Sequence, residues 1–244
     1  MRLFNKLTMP TRLRVEVAIL AVLVVLATVW RLSPGLREAV RRALFPESIY
    51  SVASRVADIK ARRPELASLV ASAGGPIRIL VLKRERTVEI HAKGWSAPLS
   101  FPMTAFSGQL GPKLREWDGQ IPEGVFDCVG LNPNSSFHVS IKVGYPSGRD
   151  KEWARKDGRT NLGGDIFLHG RSASIGCIPV GDAAAEEIFL LAAVCGVASE
   201  GIVIAPYDMR LGRDDELEAT IHAPSWYPEL LLLISQYMAR PSNT

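Results

Sequence analysis

The sequence is poor in the residues that build metal and disulfide frameworks. Among 244 residues there are three cysteines and four histidines, and neither a C-x-x-C nor an H-x-x-x-H pair occurs. This excludes the common ligand spacings of zinc sites, and no metal or organic cofactor is expected. Cys128, Cys177 and Cys195 are odd in number, so at least one thiol stays unpaired in an oxidising compartment. Cys128 and Cys195 lie in apolar contexts, as a bridge or as two buried free thiols; Cys177 is left over either way. Net charge is small, 29 Lys and Arg against 25 Asp and Glu. No basic stripe interleaved with aromatics is present, so nucleic acid is not an expected partner. Internal repeats, low-complexity tracts and a G-x-S-x-G elbow are lacking too.

What is present describes a folded chain. Hydrophobic residues make up 47% and charged residues 22%, a balance that excludes global disorder. The length suits one sizeable domain with appendages. Near the N-terminus Val17 to Trp30, "VAILAVLVVLATVW", is uncharged and follows Arg2, Lys6, Arg12 and Arg14. This is either a signal-peptide core or a membrane anchor. Ala27-Thr28-Val29 is a poor cleavage site, which favours an anchor. Arg31, Arg37, Arg41 and Arg42 follow the run, so flanking charge does not choose its orientation.

The sequence is expected to divide into residues 1–35, a tip and transmembrane segment; 36–75, a helical membrane-proximal spacer packed loosely on the rest; and 76–244, the main folded domain with a C-terminal helix. From Ile77 the pattern turns to strands: "IRILVLK", "RTVEIHAK" and "LSFPMTAF" are rich in β-branched residues. In "SSFHVSIKVGYP" Phe137, Val139, Ile141 and Val143 share one face, and His138, Ser140 and Lys142 the other. Ser147 to Gly164 looks like a mobile loop and a candidate lid. Asp182 is read as the cap of a helix ending at Gly196. The fold class expected is mainly β with a few helices.

Chemistry concentrates in "DIFLHGRSASIGCIPVGD", Asp165 to Asp182. A thiol attacks carbonyls as thiolate, and a neutral imidazole in reach can take its proton. His169 ends a strand, and Cys177 follows it across a loop short enough to fold one against the other. Gly170 and Gly176 permit tight geometry. Loop N–H groups around Ser174 to Cys177 could receive an oxyanion, and the next helix N-terminus would favour the thiolate. The competing readings are an inert cysteine beside a merely hydrogen-bonded histidine, or Ser172 or Ser174 acting with His169 without the usual elbow. His91 and His222 read as structural or solvated. Trp117 could shield a cleft, although packing is its plainer role.

The pattern H-G-x-x-x-S-x-G-C, formed by His169, Gly170, Ser174, Gly176 and Cys177, resembles the active-site motif of the L,D-transpeptidase (YkuD-type) family. "GPKLREWDGQIPEGVF" is similar to the family's Pro-x-Gly-x-aromatic motif at Pro122, Gly124 and Phe126. "NPNSSFHVSIKVGYP" and "LGGDIFLHG" resemble its YafK-like branch. The resemblance spans about Ile77 to Tyr207. It implies a β-rich catalytic domain with Cys177 as nucleophile and His169 as base, and with Gly176 and Cys177 N–H groups as oxyanion donors. The implied substrate is the tetrapeptide stem of peptidoglycan, with D-alanine released and a thioester formed. An amine then resolves the thioester, or water does, as in a hydrolase that cleaves stem-linked peptide or lipoprotein. A non-catalytic wall-binding module is the further alternative. His138 matches a histidine of the branch; on the polar strand face it could line the cleft and bind substrate, or simply face solvent. Pro179 stands where many members carry arginine and Ile121 where threonine is common, so Arg171, Lys142 and Arg159 become candidates for binding substrate carboxylate. The implied location is the periplasmic face of the inner membrane, or export if the N-terminal segment is cleaved.

Overall fold

The computed structural model describes residues 50–212 and 223–240. The apolar run at Val17 to Trp30 and His222 lie outside them. Among the described residues no helix is long and apolar enough to cross a membrane.

The chain enters through helices α1 (Val52–Arg62) and α2 (Leu66–Ser72), then strands β1 (Ile77–Leu82), β2 (Thr87–His91) and β3 (Leu99–Pro102). After a long loop come β4 (Gly124–Phe126), β5 (Cys128–Ser135), β6 (His138–Val143) and α3 (Gly148–Lys156). Then follow β7 (Phe167–His169), β8 (Ile178–Pro179), α4 (Asp182–Cys195), β9 (Val197–Ala205) and α5 (Tyr227–Met238). The strands form a five-stranded sheet, β3-β2-β1-β9-β4, and a four-stranded sheet, β5-β6-β7-β8. Both are mixed, because β1 runs parallel to β9 and β7 parallel to β8.

The apolar runs of β1 and β9 reflect cover on both faces. Ile77, Ile79, Val81, Ile202 and Ile204 enter a core shared with the second sheet and α4, while Leu80, Leu82, Val203 and Ala205 face α5. The two inward sets alternate as strand geometry requires.

Three local readings change. The described part of the spacer is no loose appendage. Ile59 of α1 is fully buried and Leu66 of α2 nearly so, both in the main core. Burying one such side chain is worth roughly 1.5–3 kcal/mol. Arg62 also pairs with buried Glu186 of α4 at 2.7 Å, which ties α1 to the domain. The stretch expected to be a mobile lid contains α3, started by a capping box between Ser147 and Asp150. Its Trp153 is buried and stacks on Trp226 with ring centroids 4.6 Å apart. The mixed charges hid a helix anchored by two buried residues, Trp153 and Ala154. Finally, Gly181 rather than Asp182 caps α4, which releases the Asp182 carboxylate for the neighbouring loop.

Candidate active site

Strand pairing brings His169 and Cys177 together. Leu168 pairs with Ile178 and His169 with Pro179 in the parallel β7–β8 ladder. Continuing the register by one residue sets Cys177 beside Phe167. Side chains alternate along a strand, so His169 and Cys177 project from the same sheet face as diagonal neighbours. The same face carries Ser140, opposite His169, and Lys142, opposite Phe167.

His169 is buried, and its Nδ1 lies 2.5 Å from the carbonyl oxygen of Gly170. A carbonyl only accepts, so Nδ1 carries the proton and Nε2 of the neutral ring is the basic nitrogen. Phe137 leans over the ring with centroids 4.6 Å apart. Burial pushes the His169 pKa down, opposed in part by the bond to Gly170, and so the ring is neutral near pH 7. Phe137 was expected on the apolar face of β6. It lies in the β5–β6 turn instead, because His138 adopts a positive φ of 79° and breaks the alternation there.

The Cys177 thiol donates to the carbonyl oxygen of Asp165 at 3.7 Å. It makes no hydrogen bond to His169 in this state. Burial raises its pKa, the Phe167 N–H lowers it less, and Asp165 adds to the rise. The expected help from a helix N-terminus is not at the thiol: β8 intervenes, and Asp182 in the first turn of α4 accepts the Arg171 N–H at 2.7 Å. The resting pair is therefore a thiol and a neutral imidazole.

The loop before Cys177 is cross-linked. Ser174 Oγ donates to the Cys177 carbonyl oxygen at 2.7 Å and lies 2.8 Å from Ser107 Oγ. The Gly176 N–H, expected to receive an oxyanion, donates to Ser107 Oγ at 2.7 Å and more weakly to Ser174 Oγ at 3.3 Å. Hydroxyl groups hold it. Gly176 itself has φ 107°, and a Cβ there would lie 2.8 Å from the Gln120 carbonyl oxygen. Gly176→Ala is therefore expected to cost about 1–3 kcal/mol of local strain and to slow acylation of Cys177 at least tenfold, about 1.4 kcal/mol of barrier. Acylation kinetics alongside a thermal melt would check this; wild-type rates would show that the loop tolerates a side chain.

The other expected site residues divide. His138 Nε2 is 2.8 Å from Glu186 Oε1, inside the cluster with Arg62. Gly170 is packed so closely that a Cβ would meet Asp182 Oδ1 at 2.4 Å. Arg171 is anchored through its backbone to Asp182 and Thr104, with an exposed side chain position. Lys142 pairs with the exposed Asp165 at 2.7 Å and stays beside the site. Arg159 is not brought to it: its guanidinium holds Asp157 and the Leu114 carbonyl oxygen and lies over Trp226. Cys128 and Cys195 are free, so no bridge forms between them.

A cleft of about 280 Å³ reaches Asp165, whose carbonyl oxygen accepts the Cys177 thiol, and is lined by Lys113, Glu116, Trp117, Ile166 and Ile175 among others. Trp117 is 81% exposed and Ile175 72%, so Trp117 is a cleft residue and the packing role fails. Sequence reading missed Ser107, Phe137 and Glu186. Only Glu186 left a signal, as one of two adjacent acidic residues in a largely apolar helix.

Residues 76–197 match the model of the L,D-transpeptidase catalytic domain, YkuD, and include both His169 and Cys177. The chain belongs to the L,D-transpeptidase (YkuD) family. It is 32% identical over 144 residues to YafK of Escherichia coli K12, whose designation as an L,D-transpeptidase is itself provisional; YafK of strain O157:H7 matches equally. The match covers 56% of this chain and 56% of YafK, so this L,D-transpeptidase-family chain aligns with little more than half the length of these relatives. Among solved structures, the helical cell shape determining protein Pgp2 of Campylobacter jejuni (K307A mutant) is 17% identical with a TM-score of 0.41, covering 59% of this chain and 53% of Pgp2. Bd1075 of Bdellovibrio bacteriovorus is 18% identical with a TM-score of 0.36, covering 60% of this chain and 56% of its own.

Proposed function

We propose that this member of the family is a cysteine L,D-transpeptidase acting on peptidoglycan tetrapeptide stems. The observation that carries the reading is the His169 ring, held by Gly170 so that its basic nitrogen is Nε2, on the sheet face that carries Cys177. Cys177 Sγ turns from the Asp165 carbonyl toward His169 and attacks the carbonyl of the third stem residue, while Nε2 takes the thiol proton. The Cys177 N–H receives the oxyanion, since the Gly176 N–H is engaged. The C–N bond to D-alanine breaks, and the departing amine takes the proton from His169. A thioester remains. An acceptor amine then attacks it, losing a proton to His169 as the C–S bond breaks and Cys177 is restored.

The cleft at Asp165, with exposed Trp117 and Ile175, would receive the stem. The enzyme would be anchored by Val17 to Trp30 with its domain facing the periplasm, where the wall lies, and would remodel that wall. The test is mass spectrometry of the protein incubated with a diaminopimelate-containing tetrapeptide stem. An adduct of stem minus D-alanine in wild type, absent in Cys177→Ala, is the expected result. Cleavage of a lipoprotein-linked stem without accumulation of transfer product would instead favour the hydrolase. A folded protein that reacts with neither would overturn the reading.

A further inference from the structure

Ser107 belongs to no motif and lies on the loop between β3 and β4, yet it reaches the loop of the nucleophile. Hydrogen-bond directions there follow from counting protons. The Cys177 carbonyl can only accept, so Ser174 Oγ spends its one proton on it, at 2.7 Å. Ser107 must then donate to Ser174 across 2.8 Å, and its oxygen is left to accept the Gly176 N–H at 2.7 Å. The result is a one-way chain: Gly176 N–H to Ser107 Oγ–H to Ser174 Oγ–H to the Cys177 carbonyl oxygen. Each bond in such a chain polarises the next.

The two ends of the chain grip the peptides on either side of the Gly176–Cys177 link. One end holds the N–H entering Gly176, the other the carbonyl leaving Cys177. The peptide between them bears the Cys177 N–H. The same β3–β4 loop supports this peptide from behind: the Gln120 carbonyl oxygen lies 2.8 Å from where a Gly176 Cβ would be, and Gln120 Oε1 accepts the Gln109 N–H at 2.7 Å.

We propose that Ser107 is a positioning residue that aims the Cys177 N–H at the oxyanion formed on the attacked carbonyl. The proposal rests on the thioester reading for its chemistry. It makes the β3–β4 loop, which also carries Trp117 at the cleft, part of the machinery for acylation. A rival role for the same contact has the opposite sign: if Ser107 merely plugged a second donor, removing its hydroxyl would free the Gly176 N–H and speed acylation.

The experiment uses the full chain as wild type, Ser107→Ala and Ser107→Thr, with p-nitrophenyl acetate and iodoacetamide as probes. With the ester, a bond forms between Cys177 sulfur and the acetyl carbon, the ester C–O bond breaks to release p-nitrophenolate, and the thiol proton passes to His169. An oxyanion forms on the way. Alkylation by iodoacetamide displaces iodide from carbon and forms none, so it reports on the thiol and its access alone. Ser107→Ala should slow the maximal acylation rate by about tenfold or more, part of the roughly 10²–10³-fold effect of losing an oxyanion donor outright. Its ester KM and alkylation rate should stay near wild type. Hydrogen exchange at the Gly176 amide should quicken, and Ser107→Thr, which keeps the hydroxyl, should recover acylation.

Unchanged or faster acylation in Ser107→Ala would overturn the proposal, as would equal slowing of acylation and alkylation. Wild type that is acylated by the ester and inert toward the stem would sink the substrate reading, while the Ser107 comparison still decides this one. Wild type inert toward both would sink the two together.

Discussion

Cys177→Ala should abolish acyl-enzyme formation, and His169→Gln should slow it by roughly 10²–10⁴-fold, the usual worth of a positioned base. The second effect follows from the resting protonation states. Burial raises the Cys177 thiol and lowers the His169 imidazole, so the two do not rest as an ion pair. Two pH profiles follow. Direct alkylation depends on thiolate, so its rate should climb through the alkaline range, with a midpoint above the ~8.5 of a free cysteine. Acylation depends on neutral His169, so it should hold as pH falls toward 6.5 and drop only below that ordinary histidine value. The sign is fixed by the direction of the His169 shift: a lowered pKa means that more acid is needed to protonate the base. An alkylation midpoint below neutrality would instead reveal a preformed thiolate and contradict this account. Glutamine at 169 should erase the acidic limb of acylation and leave alkylation little changed.

Lys83→Met should be the most destabilising single substitution outside the apolar core. Lys83 and Glu123 are both fully buried, with Nζ 2.7 Å from Glu123 Oε1. The ammonium donates its other protons to the Gly111 carbonyl at 2.8 Å and the Ile121 carbonyl at 3.0 Å. Glu123 also accepts the Gly111 N–H at 2.7 Å and the Tyr227 hydroxyl. Removing Lys83 leaves a buried carboxylate without its counter-charge, at a cost of about 3–5 kcal/mol. Replacing both, as Lys83→Met with Glu123→Leu, should recover a large part of that loss, because two desolvated charges disappear together. Urea denaturation of the single and double variants would check this. Additive losses in the double variant would mean that the pair is not coupled. The network joins the end of β1, the β3–β4 loop and α5, so a weakened Lys83 variant should also lose part of the order that holds Ser107 near Gly176.

Short-range pattern carried some of this protein. The alternation in "SSFHVSIKVGYP" identifies β6 because a strand with one buried face must repeat every second residue. The spacing from His169 to Cys177 suggested a facing pair because a strand end and a short loop have few ways to close. Patterns of this kind are written locally, by burial of neighbours a few positions apart. Pro122 and Gly124 were legible only through their resemblance to the family's Pro-x-Gly-x-aromatic motif.

Tertiary structure decided the remainder. Glu123, between that proline and glycine, looks like a turn residue until Lys83 is found against it, 40 positions away in sequence. His138 could be read as lining a cleft or facing solvent, and only the fold shows its ring paired with Glu186, which Arg62 also holds. Ser107 carries no signal at all, since its partner Gly176 is 69 positions distant and serine is common in loops. Ser147 to Gly164 looked like solvent-exposed loop because its charges outnumber its anchors, yet Trp153, stacked on Trp226, and Ala154 in the main core dock a helix there. A buried hydrogen bond or ion pair depends on which segments the fold brings within about 3 Å, and no local periodicity records that. By itself the sequence determined the apolar faces of the strands and the residue types available for thiol chemistry; packing alone decided which N–H, hydroxyl and carboxylate groups surround them.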